Sequence, residues 1–251
     1  MKKIWLILTL LISTTIYAGG GLTHMFIAKE SIAKITNPTL QNILQNNFDS
    51  YLVGAYYPDS GYVKGAHYGE DSHWDPFIYA FADYIKETYP LLNNPSLIAF
   101  LFGCAAHRES DEIMHSTFYP EVAKYDFDGD YQKAHQFADP GIDMFLNVEH
   151  IIDTPQQWNI PIDDLLNIYH RMGKDEYTKK EIEWGTSVIH AANISERKMG
   201  KNISRSFTKK MPWTAVHYFD WNEGGILMDI QKVADYQNNL WGYLTENTPK
   251  K

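Results

Sequence analysis

Ala106-His107-Arg108-Glu109-Ser110-Asp111-Glu112-Ile113-Met114-His115 sets two histidines and an aspartate at four-residue intervals. On a helix rising ~1.5 Å per residue, positions four apart share a face, so His107, Asp111 and His115 form one polar stripe, each about 6 Å from the next along the axis. Leu101, Phe102, Cys104 and Ala105, just before it, mark another side of the same helix as core. Two imidazoles and a carboxylate turned into a bundle interior are costly to bury alone, and metal coordination would satisfy all three. A solvated polar face with two hydrogen-bonded histidines has the same spacing, and at this point both readings stand.

Helical periodicity continues on either side. Ile27, Ala28, Ile32 and Ile35 suggest a first helix, and Leu40, Ile43 and Leu44 a second. Residues 76–89 read as a third, opened by Pro76 and stopped before Pro90. Apolar spacing marks further helices over 95–119, 142–152, 162–172, 177–199 and 226–244. Alternating strand-like runs are rare, so the sequence predicts an all-α, single-domain helical bundle with long loops around residues 53–75, 120–139 and 200–224.

Composition narrows the class. The chain has 251 residues, 44% hydrophobic and 14% aromatic, enough to bury a sizeable core and to exclude a disordered or fibrous chain. Cys104 is the single cysteine, which excludes an intrachain disulfide scaffold. A net charge of −9 argues against a partner held mainly by attraction to nucleic-acid phosphates. Ten histidines in so acidic a chain point instead to metal ligation, where carboxylate charge is neutralised by cations.

Residues 1–18 stand apart. Lys2 and Lys3 precede an apolar run from Ile4 to Ile12, and Ser13 to Ala18 ends on a small residue. A run of nine residues, eight of them apolar, is too short to span a bilayer, and the pattern is that of a signal peptide. The expectation is a secreted or periplasmic protein, with residues 19–251 as its catalytic domain. Cleavage after Ala18 removes two lysines and leaves 20 basic against 31 acidic residues, a net of −11.

The other candidate donors are scattered. His24 follows the expected mature start by five residues, Asp59 sits in Tyr57-Pro58-Asp59-Ser60-Gly61, and His73 in Ser72-His73-Trp74-Asp75-Pro76-Phe77. His135 and Asp139 repeat the four-residue spacing. Each alone is weak; together they suit a cluster of several metals.

Taken in order, Gly21-Leu22-Thr23-His24, Gly54-Ala55-Tyr56-Tyr57-Pro58-Asp59-Ser60-Gly61-Tyr62, His73-Trp74-Asp75-Pro76-Phe77, Ala99-Phe100-Leu101-Phe102-Gly103 with His107, Asp111 and His115, and Ala134-His135 with Asp139 resemble the zinc-dependent phospholipase C family. Within it the resemblance is nearest to the N-terminal catalytic domain of glycosylphosphatidylinositol-specific phospholipases D; the wider superfamily includes single-strand nucleases of the P1 type. The resemblance implies a helical fold around three zinc ions. Asp59, His73, His107 and Asp111 would serve one, and His115, His135 and Asp139 a second. His24 and a bridging Asp111 would serve the third, completed by the α-amino nitrogen and carbonyl of Gly19. It implies a phosphodiesterase that hydrolyses phospholipid or glycosyl-phosphoinositide, by C- or D-type cleavage, through a zinc-activated hydroxide. A monomer making transient membrane contact is expected. Asp59 is the candidate catalytic residue, orienting or deprotonating the attacking water.

Pro140 complicates the second zinc group, because proline disfavours a regular helix through His135 to Ile142. Asp139 remains the expected ligand, with Asp143 as substitute or outer support. Two further readings compete. A nuclease would act on single-stranded nucleic acid. A di-iron bundle would use the Glu-x-x-His pairs Glu70–His73 and Glu112–His115, and a non-catalytic metal-binding bundle would keep its metals only for stability. Asp126-Phe127-Asp128-Gly129-Asp130 lacks the glycine and glutamate of a calcium loop and reads as a solvated turn. His67, His150, His170, His190 and His217 have no companion at ligand spacing and read as structural, and Cys104 as core.

Overall fold

A computed structural model describes residues 20–90 and 92–246, apart from the side chains of Met199, Lys201 and Asn202. The expected signal peptide (1–18) and the expected ligand Gly19 lie outside the described residues. The helices are α1 (Gly21–Ser31), α2 (Pro38–Asn46), α3 (Phe48–Tyr56), α4 (Gly69–His73), α5 (Asp75–Thr88), α6 (Pro95–Ile113), α7 (Tyr119–Asp126), α8 (Tyr131–Glu149), α9 (Ile162–Arg171), α10 (Lys179–Lys210), α11 (Thr214–His217) and α12 (Ile226–Thr245). Short 3-10 turns include Pro58–Tyr62, and no strand occurs among the described residues beyond one isolated bridge between Lys64 and Ala66. The architecture is all-α, as the periodicity predicted.

Helix α6 is the axis of the bundle. Asn94 caps it by accepting the Leu97 amide at 3.1 Å, and Pro95 takes the first helical position, where its missing N–H costs nothing. Every residue from Leu97 to His107 is buried, with α1, α3, α5 and α12 packed around it. Contact with α3 is unusually close. A β-carbon at Gly54 would lie 2.3 Å from the Phe100 carbonyl oxygen, and one at Gly103 would lie 2.2 Å from that of Tyr51. Glycine on both helices lets the backbones meet, and this approach carries the Ala55 carbonyl to the ring of His107.

Three stretches read as loops contain helix. Helix α3 is buried continuously from Tyr51 to Tyr56, so no polar face signals it. Residues 120–139 hold α7 and the first half of α8, and α10 runs on to Lys210. Pro140 does not break α8, which is continuous from Tyr131 to Glu149. The carbonyl that loses its partner belongs to exposed Gln136, where water can serve it. Between α6 and α7 the chain widens into a π-helical turn, Met114–Phe118, that carries His115.

Candidate metal centre

Six segments deliver the eight described donors. His24 lies in the first turn of α1, Asp59 in the 3-10 turn Pro58–Tyr62, His73 at the end of α4, and His107 and Asp111 on α6. His115 lies in the π-turn, and His135 and Asp139 on α8. Asp59 Oδ1 stands 3.5 Å from His73 Nε2 and 3.8 Å from His107 Nε2. Asp111 Oδ1 stands 3.3 Å from His115 Nε2 and 3.9 Å from His24 Nε2. His135 Nε2 lies 3.4 Å from Asp139 Oδ2, and its ring centroid 4.6 Å from that of His115. The eight side chains therefore form one continuous cluster. Donor atoms of His24, Asp59 and His107 lie within 4.8 Å of one another, as do those of His73, His107 and Asp111. His107 is common to both groups, so His24 stands nearer the Asp59 group than the implied partition into three sets suggests.

The chain entering α1 also reaches the cluster. Gly20 has a left-handed φ of 89°, and a β-carbon on it would stand 3.6 Å from His24 Nε2 and 3.9 Å from Asp139 Oδ1. Helix α1 is fixed from below by Asp143, whose carboxylate accepts the amides of Leu22 at 3.1 Å and Thr23 at 2.8 Å, and the Thr23 hydroxyl at 2.6 Å. Both Asp143 oxygens are thus engaged with a helix N-terminus rather than turned to the cluster, which places Asp143 as the support for His24 and leaves Asp139 beside His135.

Hydrogen bonding sets the tautomers. His73 Nδ1 donates to the Gly69 carbonyl at 2.6 Å, and His107 Nδ1 to the Ala55 carbonyl at 2.9 Å. Ser110 gives its hydroxyl proton to the Ala106 carbonyl at 2.9 Å, so it accepts from His24 Nδ1 at 2.8 Å. Tyr131 likewise donates to the His115 carbonyl at 3.0 Å and accepts from His115 Nδ1 at 3.2 Å. In all four rings a proton is fixed on Nδ1 and Nε2 is turned to the cluster, the arrangement a metal-bound imidazole requires. Tyr119 donates its hydroxyl to Asp139. Ser110, Tyr119, Tyr131 and the carbonyls of Ala55 and Gly69 escape sequence reasoning because none stands at ligand spacing.

Charge in the cluster is unbalanced. Burial pushes the Asp59 carboxyl up to about 6. Burial also holds His24 down to about 4 and His107 well below its usual range, so neither supplies a positive charge near neutrality. Burial alone would raise Asp111, but the hydrogen bond and charge of His115, itself raised by Asp111, outweigh it and hold the Asp111 carboxyl well below the usual carboxylate range. Two buried atoms, Asp59 Oδ2 and His107 Nε2, have no hydrogen-bond partner. Orphaned buried donors and acceptors are costly. An imidazole-and-carboxylate set suits a zinc-class cation, which would satisfy both atoms.

The remaining candidates fall elsewhere. Glu112 pairs with Arg108 at 2.7 Å, and Glu70 accepts from Tyr62 and Trp74, so neither glutamate of the Glu-x-x-His pairs joins the cluster. His67 pairs with Glu181, His217 with Asp220 and His170 with Asp175; His150 stacks on Phe219 and His190 on Trp158. Asp126 accepts the amides of Trp213 and Thr214, a turn serving α11. Cys104 is buried in the core.

Comparison with known proteins agrees with this geometry. The model of a family described as zinc dependent phospholipase C matches residues 23–198. The phosphatidylinositol-glycan-specific phospholipase D of Dictyostelium discoideum is 29% identical over 240 residues, covering 89% of this chain and 25% of that protein. The proteins of the same name from Homo sapiens and Rattus norvegicus are 27% and 28% identical over 226 residues, each covering 82% of this chain and 26% of the relative. The chain thus spans about a quarter of the length of these relatives. No solved structure matches significantly.

Proposed function

The chain belongs to the zinc-dependent phospholipase C family, and from that membership we propose that it is a phosphodiesterase hydrolysing phospholipid or glycosyl-phosphoinositide. The observation that carries the reading is the buried cluster in which four imidazoles are locked with Nε2 inward around Asp59 and Asp111. His24, Asp59, His73, His107, Asp111, His115, His135 and Asp139 are the proposed zinc ligands, with Gly19 as a ninth. Three ions are proposed.

When bound, zinc supplies positive charge for the phosphoryl oxygens and lowers the pKa of water towards neutrality. The protein's own part begins with orientation. Ser110, Gly69, Ala55 and Tyr131 fix the rings, and Asp143 fixes the helix that carries His24. With one carboxylate oxygen of Asp59 on the cation, the other could accept a proton from, or orient, a water directed at phosphorus. Side chains of His115 and His135 are about a third exposed, at 32% and 29%, while His73 and His107 are buried, so solvent and substrate reach the cluster from the α8 side.

No helix among the described residues is long and apolar enough to cross a membrane. Export through the residues 1–18 signal, monomeric action and transient contact with a membrane surface complete the reading.

The test is product identification with metal analysis on phosphatidylcholine, phosphatidylinositol, a glycosyl-phosphoinositide and single-stranded DNA. Diacylglycerol or phosphatidic acid among the products supports the reading and separates the two cleavages; hydrolysis of DNA alone overturns it. Asp59→Asn should lower turnover by at least about a hundredfold, the usual scale for a proton-transfer group, with little change in unfolding midpoint. Unchanged turnover would remove Asp59 from the mechanism.

A further inference from the structure

We propose that the cavity beside Trp184 is a sugar-binding subsite for the substrate headgroup, an inference that rests on the glycosyl-phosphoinositide reading above. The cavity has a volume of about 610 Å³ and lies between the loop joining the Pro58–Tyr62 turn to α4 and the first turns of α10; Gly65, His67, Lys180, Glu181, Glu183 and Trp184 line it. Trp184 is 54% exposed yet held in place, its Nε1 donating to the Lys64 carbonyl at 3.0 Å. A β-carbon on Gly65 would stand 3.4 Å from that nitrogen, an ordinary contact, so the loop passes directly beside the indole edge, and the φ of 94° is what calls for glycine there. The opposite wall is braced too. Thr178 caps α10 by accepting the Glu181 amide, and Glu181 pairs with His67 Nδ1 at 2.9 Å.

An exposed, fixed indole among carboxylates, an ammonium and an imidazole matches a pyranose. Its C–H face meets the negative face of the ring, while its hydroxyls exchange hydrogen bonds with the polar rim. A nucleotide would also stack, but its phosphates would face Glu181 and Glu183. The place in the fold fits as well. The loop that forms the cavity wall carries Asp59 before it and His73 after it, and Gly185, next to Trp184, seats against the Ser60 carbonyl, where a β-carbon would come within 2.3 Å. Tyr62, 40% exposed with its ring 4.7 Å from that of His73, ends the turn that leads into this loop, three residues before Gly65. A headgroup with its phosphate at the cluster extends along this loop towards the indole.

Two measurements test the subsite. In one, kcat and KM are taken in the same mixed micelles on a glycosylated phosphatidylinositol and on plain phosphatidylinositol. In the other, saturation-transfer NMR follows phosphate-free glucosaminyl-inositol on the whole protein. Trp184→Ala should raise KM roughly tenfold on the glycosylated lipid only and abolish the NMR signal, and Trp184→Phe, which keeps a ring, should restore most of both. Equal loss on both lipids, no loss on either, or no saturation transfer from the wild-type protein to the glucosaminyl-inositol overturns the proposal. Saturation transfer that depends on Trp184 in a protein hydrolysing neither lipid would uphold the subsite and overturn the phosphodiesterase reading instead.

Discussion

Asp143 on α8 accepts both the backbone amide and the hydroxyl of Thr23 on α1, at 2.8 and 2.6 Å, and so ties the helix carrying His24 to the helix carrying His135 and Asp139. Asp143→Ala removes this tie and leaves the first amides of α1 buried without an acceptor. The expected cost is about 2 kcal/mol, read as a lower urea midpoint, together with weaker zinc binding in a chelator-competition titration. Wild-type zinc affinity in the variant would show that α1 is held by other contacts.

Gly103 tests the crossing of α3 and α6. Its β-carbon would lie 2.2 Å from the Tyr51 carbonyl and 2.6 Å from the Ala55 nitrogen, all backbone atoms that cannot swing away. Gly103→Ala should destabilise by about 1–3 kcal/mol. It should also impair zinc binding, because Ala55 orients His107. Gly242 on α12 has open space around it, and Gly242→Ala should instead stabilise by about 0.5–1 kcal/mol. Thermal unfolding of the pair checks both signs.

Asp229 is fully buried with both carboxylate oxygens unpartnered, and burial followed by the nearby Glu109 pushes its carboxyl well above the usual range. The folded state therefore favours the protonated form. Stability linked to this group is complete below the unfolded pKa of about 3.9 and is lost as pH rises through the folded value. Asp229→Asn should raise the melting temperature at pH 8, by about 1 kcal/mol or more in stability, with the gap closing towards pH 4. A gap independent of pH would contradict the assignment.

Removing zinc should lower stability in a way that depends on metal concentration, by about 2.7 kcal/mol between metal-free protein and protein at a hundredfold excess over Kd. His107→Ala should reduce bound zinc per chain, whereas His67→Ala, an exposed ring paired with Glu181, should not. Elemental analysis after gel filtration reads both.

Sequence reading reached some levels of this structure and missed others for definable reasons. The stripe of His107, Asp111 and His115 was legible because helical spacing is a local property, and the π-turn at Met114–Phe118 keeps His115 beside Asp111 despite the change in period. Helix α3 was not legible, because a helix buried on all sides shows no alternation of polar and apolar residues. Pro140 misled for the opposite reason: its local rule is sound, but exposure of Gln136 removes most of the penalty. The partners of the imidazole Nδ1 atoms were invisible, since two are backbone carbonyls and Tyr131 lies sixteen residues from His115. Asp143 read as a substitute ligand or an outer support because Pro140 follows Asp139, and only the tertiary fold brings Leu22 and Thr23 to it.

The four locked imidazoles divide into two kinds by what would be needed to unlock them. His73 and His107 lean on carbonyl oxygens that every amino acid possesses, so replacing Ala55, for instance, leaves the acceptor of His107 in place. His24 and His115 lean on the hydroxyls of Ser110 and Tyr131, which a single substitution deletes. Half of the orientation is therefore written in the path of the backbone and robust to mutation. The other half is written in two side chains, and variants at Ser110 and Tyr131 are where a chain could keep every histidine, fold normally and still lose the rings' alignment.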